Sequence, residues 1–124
     1  MVIKRIEESI VTMNVIITMP KKIKWKDYKK ELETVADGSQ MMLFKVPFKP
    51  KHDLIGGRCY VCYNGCIQGW MKVVDVIYSD GFTCSTTGTV WPEGWYICRS
   101  GKFHYMEDMI LMKGFRGIRY VENM

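Results

Sequence analysis

The pattern of apolar and polar positions divides this chain into short strands around one helix. Val15-Ile16-Ile17-Thr18 is a β-branched run stopped by Pro20, which predicts a buried first strand. Trp25, Tyr28, Leu32, Val35 and Ala36 then recur at helical spacing, with Lys26, Lys29, Lys30 and Glu33 on the opposite face. Gly38 falls where a left-handed C-terminal cap would end that helix. Met41–Val46 is apolar and ends at Pro47, which predicts a second strand running into the extended loop Phe48-Lys49-Pro50-Lys51. Upstream, Ile3, Ile6, Ile10 and Met13 stand three and four apart. Residues 2–13 therefore read either as a second amphipathic helix or as an extension ahead of a domain that starts near residue 13.

The strongest local signal is Asn64-Gly65, the dipeptide preferred by a two-residue type I′ turn, flanked by Arg58–Tyr63 and Cys66–Val76. Regular pairing across that turn sets Tyr63 against Cys66, Val61 against Gln68 and Cys59 against Trp70. Ser79-Asp80-Gly81 predicts another turn. Phe82–Ser85 and Tyr96–Arg99 read as strands around a long loop, Thr86–Gly94, and Ile118–Val121 as a closing strand. One main helix, an N-terminal one in question, and six to seven short strands give a small mixed α+β barrel.

The 124 residues have room for one domain, and no linker, repeat or low-complexity tract divides them. No run approaches 18 apolar residues, so no membrane-spanning helix is expected. Five cysteines, an odd number, fit free thiols in a reducing compartment, so a cytoplasmic location is expected. Eighteen Lys+Arg against thirteen Asp+Glu give a net charge of +5, which favours an anionic partner: nucleic acid, nucleotide or acidic protein.

Cys59-x2-Cys62-x3-Cys66 has the look of a zinc site, but residues three apart on a strand point to opposite faces, so no metal is expected there. His52 and His104 offer bases for a cysteine nucleophile, and no spacing tells which thiol would meet which ring. Neither a Walker-type loop nor G-x-G-x-x-G is present, and no cofactor is expected. The segment 86–95 carries Trp91 and Trp95 among Gly, Pro and Thr. Surface loops spend tryptophan where it packs or binds, and planar rings stack bases, so the pair could close the core or meet a ligand. Arg99 and Lys102 follow at once, while Lys21 precedes the helix and Arg116 lies in the Gly-flanked closing segment. Rings beside cations form the composition of a pocket for a phosphate-bearing, base-containing ligand. Lys21, Trp91, Trp95, Arg99, Lys102 and Arg116 are thus the expected ligand-binding residues.

Thr18-Met19-Pro20-Lys21 at the end of a strand, then a helix, a strand and the run Gly56-Gly57-Arg58-Cys59-Tyr60-Val61, is similar to PUA-like domains. The ASCH and EVE branches are nearest. Gly57-Arg58-Cys59-Tyr60 resembles their "G-D-x-hydrophobic" strand, and Ile67-Gln68-Gly69-Trp70-Met71-Lys72-Val73 their "I-x-G-x-x-x-V". The resemblance covers about residues 14–121. It implies a twisted β-barrel with a helix across one end and a cleft for RNA or DNA, often for a modified or flipped base. Some ASCH members resemble amidohydrolases acting on modified nucleosides through a Lys and a Glu. Here Lys26 stands where the family motif has Arg, and only Lys21 carries over, with Glu93 as the carboxylate to pair with it. The expected function is a nucleic-acid or modified-nucleotide binding module. The alternatives are a small hydrolase using Lys21 and Glu93, and a module for an acidic protein partner.

Overall fold

The computed structural model describes residues 12–83 and 88–122; the proposed N-terminal helix, Cys84 and the start of the tryptophan loop lie outside them. In chain order the elements are β1 (Asn14–Thr18), α1 (Trp25–Thr34), β2 (Met42–Val46), β3 (Arg58–Tyr63), β4 (Cys66–Ser79), β5 (Phe82–Thr83), β6 (Val90–Trp91), β7 (Gly94–Leu111) and β8 (Ile118–Val121). Six strands form one curled sheet in the order β2-β7-β4-β3-β1-β8, and β5 pairs with β6 in a separate two-stranded arm. The expected mixed α+β architecture is present in this mostly-sheet form, a half-barrel with one helix among the described residues. Among the described residues there are eight strands rather than six or seven, because the tryptophan loop contains β6.

The helix forms where its apolar stripe predicted. Tyr28, Leu32 and Val35 are buried while Lys26, Lys29, Lys30 and Glu33 face water. Gly38 does adopt positive φ (82°), but beyond the position that a left-handed cap takes; Val35 is the cap, and the Gly38 N–H donates to the Val35 carbonyl. The helix covers a core of Val15, Ile17, Cys59, Val61, Met71, Val73, Ile97 and Phe103. On the other face of the same sheet, Ile16, Tyr60, Cys62 and Ile67 form a second cluster, packed by Met106, Ile110, Met112 and Phe115. β1 and β3 are therefore buried on both faces, which suits their unbroken apolar sequences.

The hairpin turns at Asn64-Gly65, both residues at positive φ (52° and 80°) as a type I′ turn demands. Tyr63 pairs with Cys66 as expected. Beyond that the regular register fails: Val61 pairs with Gly69, Tyr60 with Trp70 and Cys59 with Met71, because a bulge inserts Gln68. The short strand expected at Tyr96–Arg99 is the start of an eighteen-residue strand, β7, which bends along β4 through further register shifts. Ile118–Val121 forms β8, which closes one edge against β1. No helix among the described residues is long and apolar enough to cross a membrane.

Candidate functional site

The Gln68 bulge decides which face receives Trp70. In the regular register Trp70 would lie opposite Cys59 and share its face, that of the helix-covered core; one extra residue moves it opposite Tyr60, on the other face. Partners across adjacent strands share a face, so the register defines a row running Arg119–Ile16–Tyr60–Trp70–His104 over β8, β1, β3, β4 and β7. Beside it, Arg58 pairs with Lys72 and Lys72 with Ser100. The His104 ring stacks on Trp70 at 4.0 Å and 13°, and the Arg58 guanidinium carbon lies 4.0 Å from the same ring centroid. Two groups that close cannot share one face of the indole, so Trp70 is sandwiched between a cation and an imidazole.

Next to this stack is a cleft of about 480 Å³, lined by Gly38, Met41, Trp70, Lys72, Val74, Ser100, Gly101, Lys102 and His104. Among the described residues its cationic groups are two lysines, and no Asp or Glu lines it. The α1–β2 connection forms the far wall and is tied to β7 by two hydrogen bonds. The Ser100 hydroxyl donates to the Gln40 carbonyl (2.5 Å), and the Gly101 N–H to the Val35 carbonyl (3.0 Å). Lys72 pairs with Ser100 but Trp70 with His104, so Met71 faces the three residues 101–103. Gly101 absorbs this bulge at φ 92°, bringing Lys102 to the cleft while Phe103 turns into the helix-side core.

A second cleft of about 400 Å³ adjoins the first, with Met41 lining both. Phe82 and Trp91, stacked at 5.8 Å and 10° on the β5–β6 arm, wall it together with Glu31 and Thr34 of α1. Trp91 also stands edge-on to Tyr96, whose hydroxyl donates to the Pro92 carbonyl (2.5 Å) and fixes the arm on the sheet.

The sequence-predicted site residues separate into several places. Lys102 lines the basic cleft and Trp91 the adjoining aromatic one. Trp95 is not beside Trp91: it packs on the helix-side core and lines a third hollow with Lys49, whose ammonium lies 5.4 Å from its ring. Trp91 stands against Tyr96 and Trp95 is the residue beside it along the strand, and the two tryptophans line separate hollows. Arg99 is no rim residue. It is 2% exposed, paired with Met42 and buried under α1, where its Nη1 donates to the Tyr28 hydroxyl. Arg116 is exposed in the segment before β8, outside the lining of either cleft; Arg119, which stacks over Phe115 at 4.2 Å, is the cation that the row places on this face. Lys21 is exposed in the turn before α1 and makes no ion pair among the described residues. Glu93 accepts the Tyr78 hydroxyl proton in a hydrogen bond on the arm, so the two residues suggested for hydrolysis do not form a pair.

Sequence reading missed Arg58, Trp70, Lys72, Met41 and His104 as members of one site. Arg58, Tyr60, Trp70 and Lys72 could have been found by alternation along the hairpin, had Gln68 been recognised as an extra residue. The thiols divide as alternation predicted: Cys59 in the helix-side core, Cys62 in the opposite cluster, where its thiol donates to the Met112 carbonyl (3.3 Å). Burial pushes the Cys59 thiol up to about 11, the Arg99 cation opposing, so it is a protonated packing group at neutral pH.

Compared with models of known protein families, with curated proteins and with solved structures, the chain finds no match.

Proposed function

We propose that this chain is a PUA-like binding module for nucleic acid or a nucleotide-like anion, with phosphate held in the basic cleft and a base beside Trp91. One observation carries the reading: among the described residues, a cleft with two lysines and no carboxylate meets an aromatic cleft at a single shared side chain, Met41. Lysines hold phosphate oxygens without reading sequence, while ring faces accept any base, so adjoining cationic and aromatic walls suit a ligand that carries both groups. Met41 is 51% exposed and unbranched, so it can turn aside as a ligand spans the two clefts. Trp70 has both faces occupied; it braces Arg58 and His104 rather than stacking a base. The curled sheet with one helix supports retaining the PUA-like resemblance in this reading.

Fluorescence anisotropy with labelled single-stranded RNA, single-stranded DNA and modified-base duplexes, at low and high salt, tests it. Saturable binding that weakens with salt, and weakens further in Lys72→Gln/Lys102→Gln, is the expected result. No binding of any probe at low salt, or binding untouched by the double substitution, overturns it.

A further inference from the structure

His104 lines the basic cleft beside Lys72 and Lys102. Its ring pairs with Trp70 across β4 and β7 and stacks on the indole at 4.0 Å and 13°, while Arg58 braces the other face of that indole. One face of the imidazole is thus taken by Trp70. Its nitrogens have no hydrogen-bond partner among the described residues, and the side chain is exposed. A donor held in place with its N–H unspent is ready to meet a ligand. The charges around it come from three strands: Lys72 of β4, Lys102 of β7 and, behind the indole, Arg58 of β3. The α1–β2 connection contributes Gly38 and Met41, which carry no charge. Asp37 in that connection accepts the Ser39 hydroxyl, and neither it nor Glu107 and Asp108 farther along β7 line the cleft. The cations repel an imidazolium, and an anion seated among them attracts one.

We propose that His104 is the third anion-binding group of this cleft, donating to a phosphate oxygen as the imidazolium, with the proton drawn from solvent as the ligand binds. This rests on the reading of the cleft as a phosphate site, and it makes binding there proton-linked. Histidine is the lining side chain whose charge changes between about pH 5 and 8, a range in which lysines stay charged. A ligand that favours the charged ring binds tightest at the acid end and loses that share of its affinity as pH rises. Trp70 has a positioning role in this arrangement, since its plate fixes where the imidazole edge meets the ligand.

Fluorescence anisotropy with a labelled oligothymidylate lacking a terminal phosphate, at fixed ionic strength, reads this directly, because neither its phosphodiesters nor its bases titrate near neutrality. From about pH 8 down to about pH 6 its affinity should rise about three- to tenfold. His104→Gln should abolish the rise and hold the alkaline-end affinity throughout. His104→Lys, charged across the range, should bind tightly at both ends. His52→Gln changes the other histidine of the chain, which stands against Tyr120 in a different hollow, and should keep the rise. With only two histidines to resolve, proton NMR of the imidazole C2 hydrogens gives a second reading: saturating probe should move the His104 titration to higher pH and leave that of His52 in place. Binding indifferent to pH, a rise that survives His104→Gln, or a His104 titration that the probe does not move overturns the role of His104 and leaves the phosphate reading standing. No binding of the probe at either pH overturns both.

Discussion

Arg99 donates a 2.7 Å hydrogen bond to the hydroxyl of Tyr28, joining β7 to the underside of α1. Both side chains are buried, the guanidinium Nε has no hydrogen-bond partner, and the Met71 sulfur lies 4.0 Å from Nη1. A buried cation depends heavily on a hydroxyl partner of this kind, because losing it leaves the charge poorly compensated. Tyr28→Phe is expected to destabilise the fold by about 1–3 kcal/mol. Arg99→Met in the Tyr28→Phe background should recover much of the loss, since it removes the charge and keeps the volume. Urea unfolding of both single variants and the double one gives the coupling; additive losses would show that the pair is not a unit.

Cys59 and Cys98 give the fold an alkaline weakness. Burial raises each thiol from 9.0 to about 11, with the Asp75 charge adding to the rise at Cys98. A group whose folded value is raised contributes its full stability below the unfolded value and loses it as pH climbs through the folded one. Stability should therefore hold up to about pH 9 and fall between pH 9 and 11. Cys59→Ala should flatten part of that fall, at the cost of a small cavity. Urea midpoints across this window provide the check.

Gly69 admits no side chain. A Cβ there would overlap the Phe103 ring and the His104 carbonyl oxygen, and backbone cannot swing aside. Gly69→Ala is expected to lose about 3 kcal/mol, the upper end for overpacking, and Phe103→Leu should relieve only part of it because the carbonyl clash remains. Thermal melts of the two single variants and the double one test this. The substitution strikes the strand that carries Trp70, so any nucleic-acid affinity should fall with stability.

The two clefts should give thermodynamically distinct losses if they hold base and phosphate. Trp91→Ala is expected to weaken binding by about 1–3 kcal/mol with the salt dependence unchanged, because a stacking ring carries no charge. Lys72→Gln should weaken it across sequences and lower the salt slope by about one. Arg116→Ala, outside both linings, should change affinity less than Lys102→Ala. Anisotropy titrations at several salt concentrations distinguish these outcomes; equal slopes for all four variants would refute the division.

What the sequence by itself determined is local. Helical spacing placed α1, a β-branched run placed β1, an apolar run ending at Pro47 placed β2, and the left-handed preference of Asn64-Gly65 placed the hairpin, each because the cause lies within a few residues. Alternation likewise separated Cys59 from Cys62. The candidate site is not local. A single bulge at Gln68 sends Trp70 to the face of Arg58 and His104, and the Gly101 bulge sends Lys102 out and Phe103 in. The sequence leaves open which residue a strand skips, because the choice rests on packing from both faces of the sheet. Arg99 has the composition of a rim residue and the position of a core one, because its place on β7 opposite Met42 turns it under α1, where Tyr28 receives it. Tertiary structure decided the site because side-chain direction on a strand reverses with every residue, and register is fixed only when the neighbouring strands are in place.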